Sequence, residues 1–268
     1  MQKHSLMKNL FSSTPAWARL TRFSATVLLA SSLGVALADP LKIETIAVAP
    51  FGLVGADGKP SGIWYEIGNM IADEAGLPHD NVLTPYARTV KDLEDGTASF
   101  VIRMSSAQIE QSAIPVGVVI PMQTIVLGPK GTSFQQVSDL HGKTIGILRG
   151  ATYNGTFSGD DLIKKFEATD YAQEINMLTA QRLDGVAGTA VGLYYEANKH
   201  GLSNDQLGTP LVLGSQNIYL LFSRKNADDK TVAALKAAIE KLQKEDAFTK
   251  VVNKYMGDFK WSVAEAKP

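Results

Sequence analysis

Apolar and polar positions along residues 41–256 switch repeatedly between a period of two and a period near 3.6. Residues 41–49 alternate and end in Pro50-Phe51-Gly52, which predicts a strand running into a loop. Asp57-Gly58-Lys59-Pro60 is a turn. Ile63, Ile67, Met70, Ile71 and Ala75 recur at helical spacing, and Gly76 stands where a helix takes its C-terminal cap. Residues 81–83 predict a short strand. Residues 88–94 predict a short helix with Val90 and Leu93 inward, and residues 100–104 a third strand. The order β-α-β-α-β calls for a parallel sheet with helices over its faces.

A second series follows. Residues 119–127 are apolar and extended, and Gly128-Pro129-Lys130-Gly131 turns the chain. Thr144-Ile145-Gly146-Ile147-Leu148 predicts a buried strand, with Gly150 allowing the tight turn beyond it and Thr152 and Tyr153 near the start of a helix. A strand passing through a glycine turn into a helix N-terminus offers free backbone N–H groups to a carboxylate or other acceptor. The pattern then predicts a helix near 160–168, a strand at 175–178, a helical connection at 180–184 and a short strand at 185–188. A helix through Tyr195 to Lys199 and an apolar strand at 217–222 follow. Asp228 or Asp229 starts a helix whose buried face is Val232, Leu235, Ile239 and Leu242, and a last helix carries Phe248, Val252 and Tyr255.

The first forty residues belong to a different kind of segment. Lys3, Lys8, Arg19 and Arg22 stand among residues free of acids, an apolar run extends from Ala25 to Ala38, and Ala36-Leu37-Ala38 precedes Asp39-Pro40. Basic start, apolar centre and small-x-small site together predict an export signal, residues 1–38, cleaved near Ala38. The run is shorter than the ~20 residues a spanning helix needs, so the mature chain is expected to carry no membrane anchor. Cleavage takes Lys+Arg from 26 to 22 while Asp+Glu stays at 27, which moves the net charge from −1 to −5. A mildly acidic protein is no candidate for nucleic acid or anionic membrane. The chain has no cysteine, which excludes thiolate metal sites and a thioether lipid anchor. His79, His141 and His200 lack metal-pair spacing, and there is no Gly-x-Ser-x-Gly elbow. Neither a cofactor nor a metal is expected.

Several motifs, in this order, resemble the extracytoplasmic solute-binding proteins of the polar amino-acid type that serve ABC importers, the family 3 periplasmic binding proteins. They are Pro50-Phe51, Asp57-Gly58-Lys59-Pro60-Ser61-Gly62, Tyr86-Ala87-Arg88 with Leu93 and Gly96, Asp139-Leu140-His141-Gly142-Lys143-Thr144-Ile145-Gly146 with Gly150, and Gln181-Arg182-Leu183-Asp184-Gly185-Val186. The resemblance spans residues 41 to about 260. It implies an α/β fold of type II, with two parallel-sheet lobes joined by two hinge crossings. Lobe 1 would comprise residues 39–126 and 221–268, and lobe 2 residues 127–220. It also implies a cleft between the lobes that closes over a small solute by a hinge motion.

The chain departs from that family where charge matters most. Members that bind amino acids carry a Thr-x-x-Arg whose guanidinium grips the ligand α-carboxylate. Here Ser105-Ser106-Ala107-Gln108-Ile109-Glu110-Gln111 has no arginine. They also carry an acid in lobe 2 for the α-ammonium, whereas Val186-Ala187-Gly188-Thr189 has none. What remains for the cleft is Phe51 and Trp64 as an apolar wall, with Tyr86 and Arg88 at a strand-to-helix junction. Arg103 sits inside an apolar strand and Ser105 just beyond it. Gly150, Ala151, Thr152 and Tyr153 stand on the lobe 2 side, with Thr189 in place of the missing acid and Gln216 beside the second crossing. Arg88 is either an anion holder or a solvated first-turn residue. Arg103 either points into the cleft or pairs with an acid at the sheet edge.

The expectation is therefore a monomeric periplasmic protein that captures a small polar or anionic solute and passes it to an inner-membrane ABC permease without covalent chemistry. Two alternatives stand beside it: a ligand-sensing module that signals to a membrane receptor, and a dehydratase acting on cyclic carboxylic acids on the same fold.

Overall fold

The structure, a computed structural model, describes residues 39–256; the expected export signal lies outside the described residues. The chain begins with β1 (Leu41–Ile46). The small antiparallel pair β2 (Leu53–Val54) and β3 (Pro60–Ser61) follows. Next come α1 (Ile63–Glu74), β4 (His79–Thr84), α2 (Arg88–Asp95), β5 (Phe100–Met104) and α3 (Ala107–Ser112). The long strand β6 (Ala113–Leu127) leads to β7 (Thr144–Leu148), the one-turn helix α4 (Gly155–Ser158), β8 (Lys164–Ala168), α5 (Tyr171–Thr179), β9 (Gly185–Thr189) and α6 (Ala190–Lys199). A second long strand, β10 (Leu211–Ser223), returns, and α7 (Asp229–Lys244) and α8 (Ala247–Met256) complete the described chain.

Eight strands form one hydrogen-bonded sheet in the order β4-β1-β5-β10-β6-β9-β7-β8. β4, β1 and β5 run parallel, as do β9, β7 and β8. Between these blocks lie β6 and β10, antiparallel to each other along almost their whole length. β10 joins the first block through Ile218–Phe222 on β5, and β6 joins the second through Thr124–Leu127 on β9. Two parallel α/β lobes are thus linked by two crossing strands, the fold class expected. In the first lobe α1 buries Ile63, Trp64, Ile67, Gly68, Ile71 and Ala72. Gly68 lies on the buried face of the helix, where a Cβ would make ordinary contact with Ile43 at 3.4 Å. The last helix closes the start of α1: the Gly62 N–H donates to the Tyr255 hydroxyl at 2.8 Å, and Lys254 pairs with Glu66 at 2.8 Å.

Four local expectations are corrected. Residues 160–168 do not form a helix: α4 is a single turn at 155–158, and β8 takes 164–168. β8 is an edge strand paired only with β7, so it tolerates Lys164 and Glu167 facing water and shows no apolar run. The strand expected at 175–178 lies inside α5, whose buried residues Tyr171, Glu174, Ile175 and Leu178 follow helical spacing. A buried acid within that face hid the period. Residues 180–184 form a turn, with Gln181 at φ 57. Both crossing strands are longer than the apolar runs at 119–127 and 217–222 suggested, because their ends pair mutually rather than bury. The helix α3, capped by the Ser106 side chain on Ile109 N–H, had no counterpart in the pattern reading.

Candidate functional site

A narrow cavity of about 40 Å³ lies where the crossing strands separate the two lobes. Ile46, Val48, Phe51, Trp64, Tyr86, Arg103 and Met104 approach from the first lobe, and Leu148, Ala151, Thr152, Tyr153, Tyr171 and Thr189 from the second. Met122 of β6 and Ile218 of β10 form the floor between them. The Phe51 and Trp64 rings stack at 5.1 Å and 9°, a geometry worth about 1 kcal/mol beyond its burial. Trp64, in the first turn of α1, is both a core residue and a wall.

Arg103 is the charged side chain of this lining. It is 4% exposed. Its Nη1 donates to Thr89 Oγ1 at 2.5 Å and to the Tyr86 carbonyl at 3.4 Å, and its guanidinium lies 4.5 Å from the centre of the Tyr86 ring. The buried Nε–H has no acceptor, and no carboxylate stands within ion-pair distance, among the described residues. Of the two answers open to a charge inside an apolar strand, the structure gives the first: the side chain faces the cavity. Helix α2 holds it there. Thr89 Oγ1 donates to the Tyr86 carbonyl at 2.9 Å, which aims its lone pairs at Arg103. Further along α2, buried Asp92 accepts from Arg88 Nε at 2.9 Å and lies beside Glu44 of β1. Burial, with Asp92 adding to it, pushes the Glu44 carboxyl up to about 7.

The second lobe contributes an aromatic side chain the sequence reading missed. Tyr171, the first residue of α5, has its ring between Gly188 at the end of β9 and Gly192 in the first turn of α6. A Cβ at either glycine would overlap the ring. The Tyr171 hydroxyl accepts the Thr189 N–H at 3.1 Å and shares a hydrogen bond with Thr189 Oγ1 at 3.3 Å. Thr189 caps α6 through Gly192 N–H at 3.2 Å. Burial raises the Tyr171 phenol above its ordinary value. Two glycines four apart across a strand end and a helix start were the available signal for a ring between them. Tyr153 lines the cavity while its hydroxyl donates to the Ala187 carbonyl at 2.7 Å, inside the second lobe. Behind both tyrosines, Glu174 is fully buried with neither oxygen bonded among the described residues, and burial raises its carboxyl well above the usual range.

A wider outer cavity of about 330 Å³ adjoins the first and shares Tyr86, Arg103, Met104 and Thr152 with it. Ser105 and Gly150 line this outer space. Ser105 Oγ donates to Glu110 Oε1 at 2.7 Å. Gly150, at φ +77, brings the lobes into contact, for a Cβ there would stand 3.4 Å from Ala87 Cβ. The helix expected directly after Gly150 starts later, at Gly155, and Asn154 caps it. Ala151 N–H is taken by the Leu148 carbonyl and Tyr153 N–H by Ser158 Oγ, while Thr152 N–H has no acceptor among the described residues. Two candidates stand outside both cavities. Arg88 turns to Asp92 with 67% of its side chain exposed, and Gln216 pairs in register with Met122 without reaching the cavity. Among the described residues no cluster of three or more His, Cys, Asp or Glu could hold a metal, and no helix is long and apolar enough to cross a membrane.

Two α/β lobes closing on a cavity at their crossing strands define a type II periplasmic-binding-protein fold. The profile of the bacterial extracellular solute-binding proteins, family 3, matches residues 41–258, and the chain belongs to that family. It is 22% identical over 208 residues to the probable amino-acid-binding protein YxeM of Bacillus subtilis (strain 168), covering 75% of this chain and 78% of YxeM. Its structure resembles that of a mutant of ArgBP from T. maritima with a TM-score of 0.69 and 17% identity, over 82% of this chain and 95% of the other. It also resembles a histidine kinase sensor domain with similarity to periplasmic binding proteins, with a TM-score of 0.71 and 15% identity, over 82% and 96%. The family and YxeM are binding proteins rather than enzymes.

Proposed function

We propose that this protein is exported to the periplasm and captures a small polar or anionic solute between its lobes, as a monomer, for delivery to an inner-membrane ABC permease. The observation that carries the reading is Arg103, a buried guanidinium without an acidic partner among the described residues, in a cavity walled from both lobes. Lobe 1 is taken as residues 39–126 and 221–268, and lobe 2 as 127–220. The pairing of Ile218–Phe222 with β5 favours a return crossing a few residues earlier than 221. Phe51, Trp64, Tyr86, Arg103, Ala151, Thr152 and Thr189 form the contact surface, with Tyr171 added to them, and Ser105 and Gly150 at the rim. Closure sets the Gly150 turn against Ala87 and offers both lobes to the permease at once.

Native mass spectrometry of the exported protein, with a broad thermal-shift screen, tests the capture itself. A retained or stabilising small molecule is expected, and none in either experiment refutes it. The same cleft also suits a sensory module, a reading favoured by the likeness to a histidine kinase sensor domain. Partner capture separates the two: recovery of a permease supports import, and recovery of a kinase or chemoreceptor without one supports sensing.

A further inference from the structure

We propose that the cleft takes a small carboxylate with a short apolar tail and no ammonium group, its carboxylate held by Arg103 and its tail in the inner cavity. This rests on the solute-capture reading and names the chemistry of the solute.

The argument begins with what Arg103 lacks. Its bonds go to neutral oxygens, those of Thr89 and the Tyr86 carbonyl, and its buried Nε–H is unused among the described residues. A guanidinium stripped of water without an anion is costly, and a carboxylate arriving beside it offsets that cost through charge-assisted hydrogen bonding. Thr89 and the Tyr86 carbonyl hold Nη1, and the side chain so fixed lines both the inner and the outer cavity.

The second step is what the cavity lacks. No Asp or Glu lines the inner space. Glu174, the buried acid behind Tyr153 and Tyr171, does not line this space, and burial raises its carboxyl well above the usual range. Glu94 lines only the outer space, in company with Lys91. The oxygens nearest the place where a second-lobe acid would stand are already engaged: Thr189 Oγ1 accepts from Gly192 N–H and meets the Tyr171 hydroxyl. An ammonium brought into this space would lose its water and gain no anion.

The third step is size and surface. Beyond Arg103 the walls are the Phe51–Trp64 stack, Met122, Leu148 and Ile218. At roughly 10–15 Å³ for each water-sized group, a space of about 40 Å³ accepts a tail of about three or four heavy atoms, such as an isobutyl group.

Isothermal titration of the mature protein with three matched probes tests this. 3-Methylbutanoate has the tail and the carboxylate, valine adds the ammonium, and isobutylamine keeps the ammonium without the carboxylate. The expected result is 3-methylbutanoate binding at least tenfold more tightly than valine, with no heat from isobutylamine. Arg103→Met is expected to weaken 3-methylbutanoate more than a hundredfold while melting cooperatively. The exposed Arg182→Met control should stay within twofold. Valine binding as tightly as 3-methylbutanoate overturns the ligand class and leaves solute capture standing. A folded Arg103→Met with unchanged affinity overturns the assigned clamp. No binding of 3-methylbutanoate to the wild-type protein also overturns the proposal, and the thermal-shift screen then decides separately whether solute capture survives. Should Arg103→Met fail to fold, the wild-type probe series decides alone.

Discussion

Replacing Glu44 by Gln should change how stability depends on pH more than it changes stability itself. Glu44 is 6% exposed on β1, beside Asp92 and Thr84, with one oxygen unbonded among the described residues. Its carboxyl is pushed from the ordinary 4.5 up to about 7, first by burial and then by the Asp92 charge. Because the folded value is the higher one, Glu44 is protonated in both states below pH 4.5, and its contribution is then complete. As pH rises toward 7 the unfolded chain gives up the proton and the folded chain keeps it, so stability falls across that window and levels off above it. At about 1.4 kcal/mol per unit the loss reaches about 3 kcal/mol. Glutamine keeps the shape and cannot ionise. Urea unfolding of both proteins at pH 4.5, 6 and 8 should show the variant gaining about 3 kcal/mol on the wild type between the extremes. The difference between the two curves cancels titrating groups remote from Glu44, such as Glu174, and reads Glu44 together with its neighbour Asp92. A difference that stays constant from pH 4.5 to 8 would refute the assignment.

Three further outcomes follow from the cleft. Gly192→Ala places a methyl into the Tyr171 ring and should cost about 1–3 kcal/mol by overpacking; urea unfolding measures it, and ligand affinity should fall as the ring shifts into the cavity. Thr152→Pro removes an amide without an internal acceptor at the rim. It should weaken ligand binding in titration calorimetry while the melting temperature stays within a few degrees, and unchanged affinity would remove this stretch from the site. Gly150→Val puts a β-branched side chain at φ +77 against Ala87, at a cost of about 1–2 kcal/mol. Small-angle scattering should show a less complete ligand-induced compaction than in the wild type.

Much of the first lobe was legible because its helices show the solvent a polar face and the sheet an apolar one. Ile63, Ile67 and Ile71 needed only counting, and Gly76 and Gly96 punctuated the helices at their ends. The second lobe was harder to read. β8 lies at the sheet edge and carries charge on its open side, and α5 places Glu174 on its buried face; each breaks the period that would have named it. At the site, Arg103 was visible as a charge interrupting an apolar strand, although its direction was not, since both faces of a central strand are covered. Arg88 was indistinguishable by sequence from a ligand-holding arginine, and only its pairing with Asp92 separates it. Tyr171 escaped because the glycines that make room for its ring, Gly188 and Gly192, lie well beyond it in the chain.

The order of strands in the sheet also governs the order in which the molecule can be built. β7, β8 and β9 find all their parallel partners among near neighbours in sequence, so that block can assemble while the chain is still arriving. β5 waits: its second edge is filled by β10, with Arg103 opposite Tyr219. α1 stays uncovered until α7 and α8 follow. In a chain delivered N-terminus first, the half that starts first therefore finishes last. Until then it exposes an open strand edge and the apolar flank of a helix, the features through which partly folded chains stick to one another. The strand that carries the buried arginine is thus also the edge most in need of shielding while the chain is still folding.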